Sequence, residues 1–419
     1  LIDNIKPEFI GYDTLESETR ILRYRKIKQK NKDLFQLVLE RTPFYAESGG
    51  QTGDTGKLIF PNETITILDT KKENELFVHL TDRLPENDSA QFLAQVDKSK
   101  RQRVMNNHSA THLLHAALRQ VLGKHVEQRG SLVNEALLRF DFSHFAAMSS
   151  EELNKVEQIV NERIRLNIAK DEKRMVPIQE AKNLGAMALF GEKYGDFVRV
   201  ITFDPEYSVE LCGGTHVDHT GSIGTFRIIS EGSVAAGVRR IEAVTAVAAE
   251  DHQRAEALLL SKIREVLKNP KDLVAAVSGL QLEKAELEKN LEKIYHQQAL
   301  IIKDQLAASV IQQPHRSLII AKIQVPNAEA IKTIAYALRN EFENLVLVLA
   351  AGIDGKPQVA VMLSDSVIEK FSLHAGNLVK ELAKEIDGGG GGQPFFATAG
   401  GKNSEGLDRV ILKAKQLLG

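Results

Sequence analysis

A single cysteine, Cys212, stands in 419 residues, so no internal disulfide framework can form. Such sparing use of cysteine fits a reducing, cytoplasmic compartment. Long apolar runs are also missing. The stretch "NLVLVLAA" at 344–351 is among the longest, far short of the roughly 20 residues a membrane helix requires, and membrane partners are not expected. No signal-peptide pattern opens the chain. Neither sign of charge dominates, with 54 Lys plus Arg against 56 Asp plus Glu. A polyanionic partner would therefore be held by local basic patches and not by a field over the whole molecule. The chain begins with Leu1 instead of Met, which reads as a processed or excised piece of a longer protein. Its length suffices for roughly two to four domains with well-buried cores.

What is present reads as a multidomain α+β chain. Residues 1–96 are mostly β: "LFQLVLERTPFYAE" and "GKLIFPNETITILDT" alternate apolar and polar residues between turn signals. Between them lies "SGGQTGDTG", a loop that can bring backbone close to a ligand or simply make a β turn. Residues 97–247 form an α+β region. Its first helix is predicted from about Asp97, a capping residue, to Leu122, with Gly123 ending it. A second helix starts at Ser149, which has capping-box spacing with Glu152. "DFVRVITF", "YSVEL" and "GTFRII" read as strands. From about 248 to 312 the character is helical, divided at Pro270. There Leu273, Leu280, Leu287, Ile294 and Ile301 recur every seven residues, as in a coiled-coil seam or helical hairpin. The other seam position is weaker (Val277, Lys284, Leu291, Gln298), favouring a short helix pairing. Residues 313–419 alternate strands and helices and close on a helix from about Ser404.

One constellation carries chemistry. In "NNHSATHLLH", His108 and His112 are four apart and share a helix face. Cys212 and His216 are also four apart, in "CGGTH", where glycines let the backbone bend until thiolate and imidazole converge. HxxxH with CxxxH supplies four N and S donors, a set suited to one tetrahedral zinc ion per chain. His115 reads as a supporting or core histidine more than a fifth ligand. Four protein ligands are the mark of a closed, structural site, whereas catalysis needs an open position. If open, zinc could lower the pKa of bound water to about 7 and polarise an ester carbonyl. Spacing does not choose between the two.

The segments "TPFYAESGGQTGDTG", "NNHSATHLLHAALRQVLGKHVEQRGSLV", "LRFDFSH", "ELCGGTHV" and "GSVAAGVRRIEAV" together closely resemble the post-catalytic part of the alanyl-tRNA synthetase family. The resemblance covers essentially the whole chain. It implies a β-barrel-like segment (1–96), an editing core with the zinc site (97–247), a helical connector (248–312) and a DHHA1-type tRNA-binding domain (313–419). It also implies an activity: hydrolysis of serine or glycine mischarged onto tRNA(Ala). A pocket for a small side chain rejects neither an added hydroxyl nor a missing methyl strongly, so a second, hydrolytic site is needed.

By that resemblance His108, His112, Cys212 and His216 are the zinc ligands. Gln128 falls at a position that discriminates the misacylated residue, where an amide could bond a seryl hydroxyl; read alone it is a solvated strand glutamine. Gly49, Gly50 and Gln51 match a Gly-Gly-Gln loop bordering the editing pocket. Glu210 is either a surface residue or a partner of a ligand. Class II aminoacylation motifs are absent, so no aminoacylation is expected from this chain alone, and the parent's aminoacylation domain becomes a partner. A free-standing trans-editing relative, or a tRNA-binding and oligomerisation module with structural zinc, are the alternatives. Ser48 before Gly49 departs from the GGGQ loop usual in free-standing proteins.

The tRNA, including its aminoacylated 3′ end, needs cationic contacts. Lys98, Lys100, Arg101 and Arg103 at the start of the histidine helix are candidates, with Arg239 and Arg240. The run "RILRYRKIKQKNK" at 20–32 is denser but could be one exposed strand face. Gly388, Gly389, Gly390, Gly391 and Gly392, ahead of "QPFFATAGG" and a helix, are expected to form a loop whose N–H groups cradle phosphate. The heptad segment would be the connector and a homodimer contact.

Overall fold

A computed structural model describes residues 6–29, 32–187 and 195–419. The chain divides into two compact units, Leu1–Ile263 and Arg264–Gly419. Both mix α and β, as expected. Leu1 lies outside the described residues.

The first unit begins with β structure. Ile21–Gln29, Lys32–Leu39, Leu76–Thr81 and Asp69–Glu73 lie side by side in that order, antiparallel. A second four-stranded sheet runs Glu16–Thr19, Phe92–Val96, Gly56–Ile59, Thr64–Ile67. Alternation decides which face is buried: Ile65 and Ile67 point inward while Thr64 and Thr66 face out. The sheets share one core containing Leu37, Leu39, Phe44, Leu58, Ile65 and Phe92. Where a barrel-like segment is expected at 1–96, the structure has two sheets around one core, and among the described residues no strand pairing closes them into a ring. The basic run at 20–32 is largely the edge strand Ile21–Gln29, with Arg23, Arg25, Lys26 and Lys28 exposed.

The histidine helix is Lys98–Leu122, with Asp97 accepting from the Lys100 N–H and Gly123 (φ 115°) closing it. One face packs Val104, Leu113, Leu114, Ala117 and Leu118 against Phe140, Phe142 and Ile241. These last come from the antiparallel sheet Gln128–Val133, Leu138–Ser143, Val238–Thr245, Phe226–Ala235. Asn107, His108, Thr111, His112 and His115 are buried too. A helix buried on both an apolar and a polar side has a weak amphipathic signature, because the polar face meets protein and not water. The helix Ser150–Arg165 carries the full capping box of Ser149 and Glu152. A three-stranded sheet, Asp171–Pro177, Phe197–Phe203, Ser208–Leu211, delivers the chain to Cys212.

In the second unit a six-stranded sheet runs Ile311–Gln313, Arg316–Ile323, Leu345–Ile353, Lys356–Leu363, Phe396–Gly400, Gly389–Gly392. Leu345–Ile353 sends Val346, Val348 and Ala350 into one core and Leu345, Leu347 and Leu349 into the other. Burial on both faces is why this strand reads as an unbroken apolar run. The glycine stretch departs from the expected loop. Gly389–Gly392 is an edge strand paired with Phe396–Gly400. A Cβ on Gly390 or Gly392 would come within 2.2 or 2.4 Å of the Thr398 or Phe396 carbonyl oxygen, so the close approach of the two strands demands glycine. The heptad segment is one helix, Leu273–Ala308, capped by Asp272. Its seam is exposed: Leu280 is 51%, Leu287 62% and Ile294 58% accessible.

Candidate metal centre and its pocket

Cys212, His108, His112 and His216 come together although the two pairs lie about a hundred residues apart in sequence. Their donor atoms all fall within 4.8 Å of one another. A tetrahedral zinc with bonds of about 2.0–2.3 Å needs donor separations of about 3.3–3.8 Å, so the cluster is sized for one ion. Cys212 Sγ stands 3.2 Å from His216 Nε2 and 3.5 Å from His108 Nε2. All four residues are buried.

The surroundings set the tautomers. Gln51 Oε1 accepts from the Thr215 N–H (2.8 Å) and faces His108 Nδ1 at 2.7 Å. A carbonyl oxygen only accepts, so His108 Nδ1 carries the proton and Nε2 offers its lone pair. Ser109 Oγ, which accepts from the Val217 N–H, faces His216 Nδ1 at 3.1 Å and can accept that proton, leaving Nε2 toward Cys212 Sγ. The Gly214 N–H donates to Cys212 Sγ (3.3 Å), which favours thiolate. Burial pushes all three imidazoles toward the neutral form that binds metals. His112 Nδ1 has no hydrogen-bond partner among the described residues. The donor chemistry therefore fits zinc.

Glu210 is buried, not a surface residue. One oxygen lies 3.0 Å from His115 Nδ1 and the other 3.5 Å from His112 Nε2. Burial pushes its carboxyl up, but His112 and His115 together outweigh burial, and the net shift is downward. His115 thus acts through Glu210 and is not a donor of the cluster.

Above the cluster opens a pocket of about 360 Å³ whose lining includes Tyr45, Ser48, Gly49, Gln128, Ser131 and Arg199. Gly49 and Gln128 thus reach the pocket; Gln128 opens the strand Gln128–Val133. Gly50 (φ 83°) and Gln51 are strapped to this strand, the Val133 N–H donating to Gly50 O and the Thr52 N–H to Val133 O. A Cβ on Gly50 would meet Ser131 O at 2.5 Å. Gln51 is fully buried and its amide is spent on His108 and Thr215, so it holds a donor residue in place and does not line the pocket. Gly214 is required for the same closeness: a Cβ there would lie 2.0 Å from His108 Cε1.

The basic candidates divide. Arg101 is corrected outright: it is 1% exposed, ion-paired with Asp54, and donates to Gly11 O and Pro43 O. A guanidinium so enclosed is out of reach of phosphate. It joins the histidine helix to the β sheets. Arg239 is paired through two nitrogens with Glu231, and Arg240 likewise with Asp141. Lys100 Nζ donates to Gly53 O. Lys98 and Arg103 are exposed, Arg103 reaching Ser99 Oγ.

Sequence reasoning missed Tyr12, Glu172 and Arg199. Arg199 donates to Cys212 O and Gly214 O, and Tyr12 to Gly213 O. No local signal marks them, since these bonds join residues far apart in the fold's strands and loops.

Three family models match. Residues 198–242 match the second additional domain of threonyl and alanyl tRNA synthetases, 3–99 the class II (A) tRNA synthetases, and 315–419 the DHHA1 domain. The class II match lies on the N-terminal β region, where the resemblance implies the β-barrel-like segment. Among curated relatives, the alanine–tRNA ligase of Cytophaga hutchinsonii is 55% identical over 411 residues, 98% of this chain and 47% of that ligase. That of Bacteroides fragilis is 52% identical over 414 residues, again 98% and 47%. The solved C-Ala domain of Aquifex aeolicus alanyl-tRNA synthetase matches 26% of this chain and 96% of its own at 22% identity, with a TM-score of 0.24, too low to bear on the fold. The chain spans about half the length of the curated relatives it matches, and with that identity along nearly all of its own length it belongs to the alanyl-tRNA synthetase family.

Proposed function

We propose that the first unit is an editing site that hydrolyses the ester of tRNA(Ala) mischarged with serine or glycine, using one zinc ion held by His108, His112, Cys212 and His216. The observation that carries this reading is the joining of a buried His₃Cys donor set to a pocket lined by Gly49 and Gln128. Zinc bound there would supply Lewis-acid polarisation of the ester carbonyl. The residues of the chain do the rest. Gln51 fixes the His108 tautomer, Ser109 braces His216, and Glu210 orients His112. Gln128 offers an amide to a seryl hydroxyl, and methyl-sized alanine makes no such bond.

The second unit would hold tRNA, with the exposed edge strand Gly389–Gly392 offering side-chain-free backbone. The exposed heptad face of Leu273–Ala308 would serve a second copy of the chain. In the parent protein the aminoacylation domain would charge the same tRNA, in the cytoplasm; no described helix is long and apolar enough to cross a membrane. The assay is deacylation of seryl-tRNA(Ala), with alanyl-tRNA(Ala) as control. Selective clearance of the seryl ester, reduced in Gln128→Ala, is expected. Equal turnover of both esters would refute the discrimination assigned to Gln128.

A further inference from the structure

We propose that Tyr12, Arg199 and Glu172 form a clamp that holds Cys212 in its metal-binding pose; the inference rests on the zinc reading above. The loop that carries the thiolate has little stiffness of its own. Gly213 and Gly214 have no side chains, and Gly214 is obliged to be glycine by His108. A chain segment with two glycines loses more conformational freedom on ordering than any other, so something must hold it.

The three consecutive carbonyls of the loop are all bonded by side chains from other elements. Arg199 Nη1 donates to Cys212 O at 3.0 Å and to Gly214 O at 2.6 Å. Tyr12 OH donates to Gly213 O at 2.6 Å. The Arg199 guanidinium sits 4.0 Å from the Tyr12 ring centroid, and its Nε donates to Glu172 Oε1 at 2.8 Å. Glu172 is itself gripped by Arg174, which bonds Asp13 through both terminal nitrogens at 2.8 Å. Tyr12 thus bonds the loop directly, while Asp13 and the strand Asp171–Pro177 are tied to it through Arg174, Glu172 and Arg199. The backbone N–H of Cys212 closes the frame by donating to Arg199 O at 3.0 Å.

Only a planar, many-donor cation meets these demands. A lysine could stay charged but cannot bond two carbonyls and a carboxylate while stacking on a phenol ring. Burial pushes the Tyr12 phenol up, against the pull of Arg199, so the hydroxyl keeps the proton it donates. Arg199 also lines the pocket, placing a fixed positive charge on the wall beside the cysteine loop.

The test uses the full chain and cobalt(II) as the metal, titrated alone and in competition with zinc. Two variants are compared with the wild type: Tyr12→Phe, which deletes a single oxygen, and Arg199→Lys, which keeps the charge. Circular dichroism confirms the fold. Both variants are expected to bind cobalt about 10–100-fold more weakly, the usual cost of losing an outer partner of a ligand. Their thiolate-to-cobalt charge-transfer band should shift and lose intensity, a change that a loss of global stability alone does not cause. If Arg199→Lys does not fold, Tyr12→Phe decides. Folded variants with wild-type affinity and an unchanged band overturn the clamp while leaving the metal site standing. A wild type that takes up no cobalt overturns both.

Discussion

The pocket end of the first unit and the long helix of the second invert the usual distribution of side chains. Around Cys212 a set of polar residues is buried: three histidines, Gln51, Ser109, Thr215 and Glu210. Along Leu273–Ala308 leucines and isoleucines lie in the open, and only Ala299 and Leu306 are buried. Burial of polar groups is costly unless every donor and acceptor is matched, so the first arrangement is specified by many mutually dependent bonds. Exposed apolar side chains on a helix specify very little by themselves. The lesson is that the candidate metal centre should be sensitive to single atoms, while the helix should tolerate whole side chains.

The strongest way to break this contrast is at the buried ion pair beneath the site. Asp54→Asn leaves the Arg101 charge enclosed without its partner, and should destabilise the first unit by about 3–5 kcal/mol in denaturant unfolding. A loss under 1 kcal/mol would show that the polar interior is not so tightly bound to its partners.

A second effect follows from His79, buried in the β core. Its Nδ1 faces Leu37 O at 3.1 Å and its Nε2 faces Thr42 Oγ1 at 2.7 Å. The Leu37 carbonyl only accepts, so Nδ1 carries the proton; in the neutral ring that burial favours, Nε2 accepts from the Thr42 hydroxyl. Burial pushes His79 down to about 4. The unfolded chain takes up the proton from about pH 6.5, whereas the folded imidazole resists it. Stability from this residue is therefore complete above that pH and lost as pH falls toward 4, by up to about 3 kcal/mol. Denaturation at several pH values should show the loss, and His79→Gln should flatten it.

Gln51→Leu sharpens the comparison at the scale of one amide. It removes the acceptor of the His108 Nδ1 proton, and should weaken metal binding by about 10–100-fold in a competition titration while the pocket walls stay in place. The smallest effect belongs to the other region. Leu287→Ala should change the stability of the dilute chain by no more than about 0.5 kcal/mol. A larger loss would mean that something covers the seam, and concentration dependence would identify it as a second copy.

How much could be seen in the sequence follows the same divide. Asp97, Gly123, Ser149 and Glu152 mark helix ends by local chemistry, and the structure places those ends there. The four residues of the candidate metal site were legible as two local pairs, and only their meeting is not local. Gln51, Ser109 and Arg199 were not legible as partners of those donors, since each acts across long stretches of chain. Arg101 misled for a related reason: a cation early in a helix looks exposed until Asp54 closes over it. The glycine run misled because its cause, a close strand-to-strand approach, is a tertiary fact.

The most direct measurement is the metal content of the purified chain set against its deacylation rate on seryl-tRNA(Ala), for wild type and for Cys212→Ala. The account predicts one zinc per wild-type chain with hydrolysis of the seryl ester. The variant should remain folded by circular dichroism, with zinc and hydrolysis lost together. A wild-type chain stripped of zinc that clears the ester at an undiminished rate would contradict it.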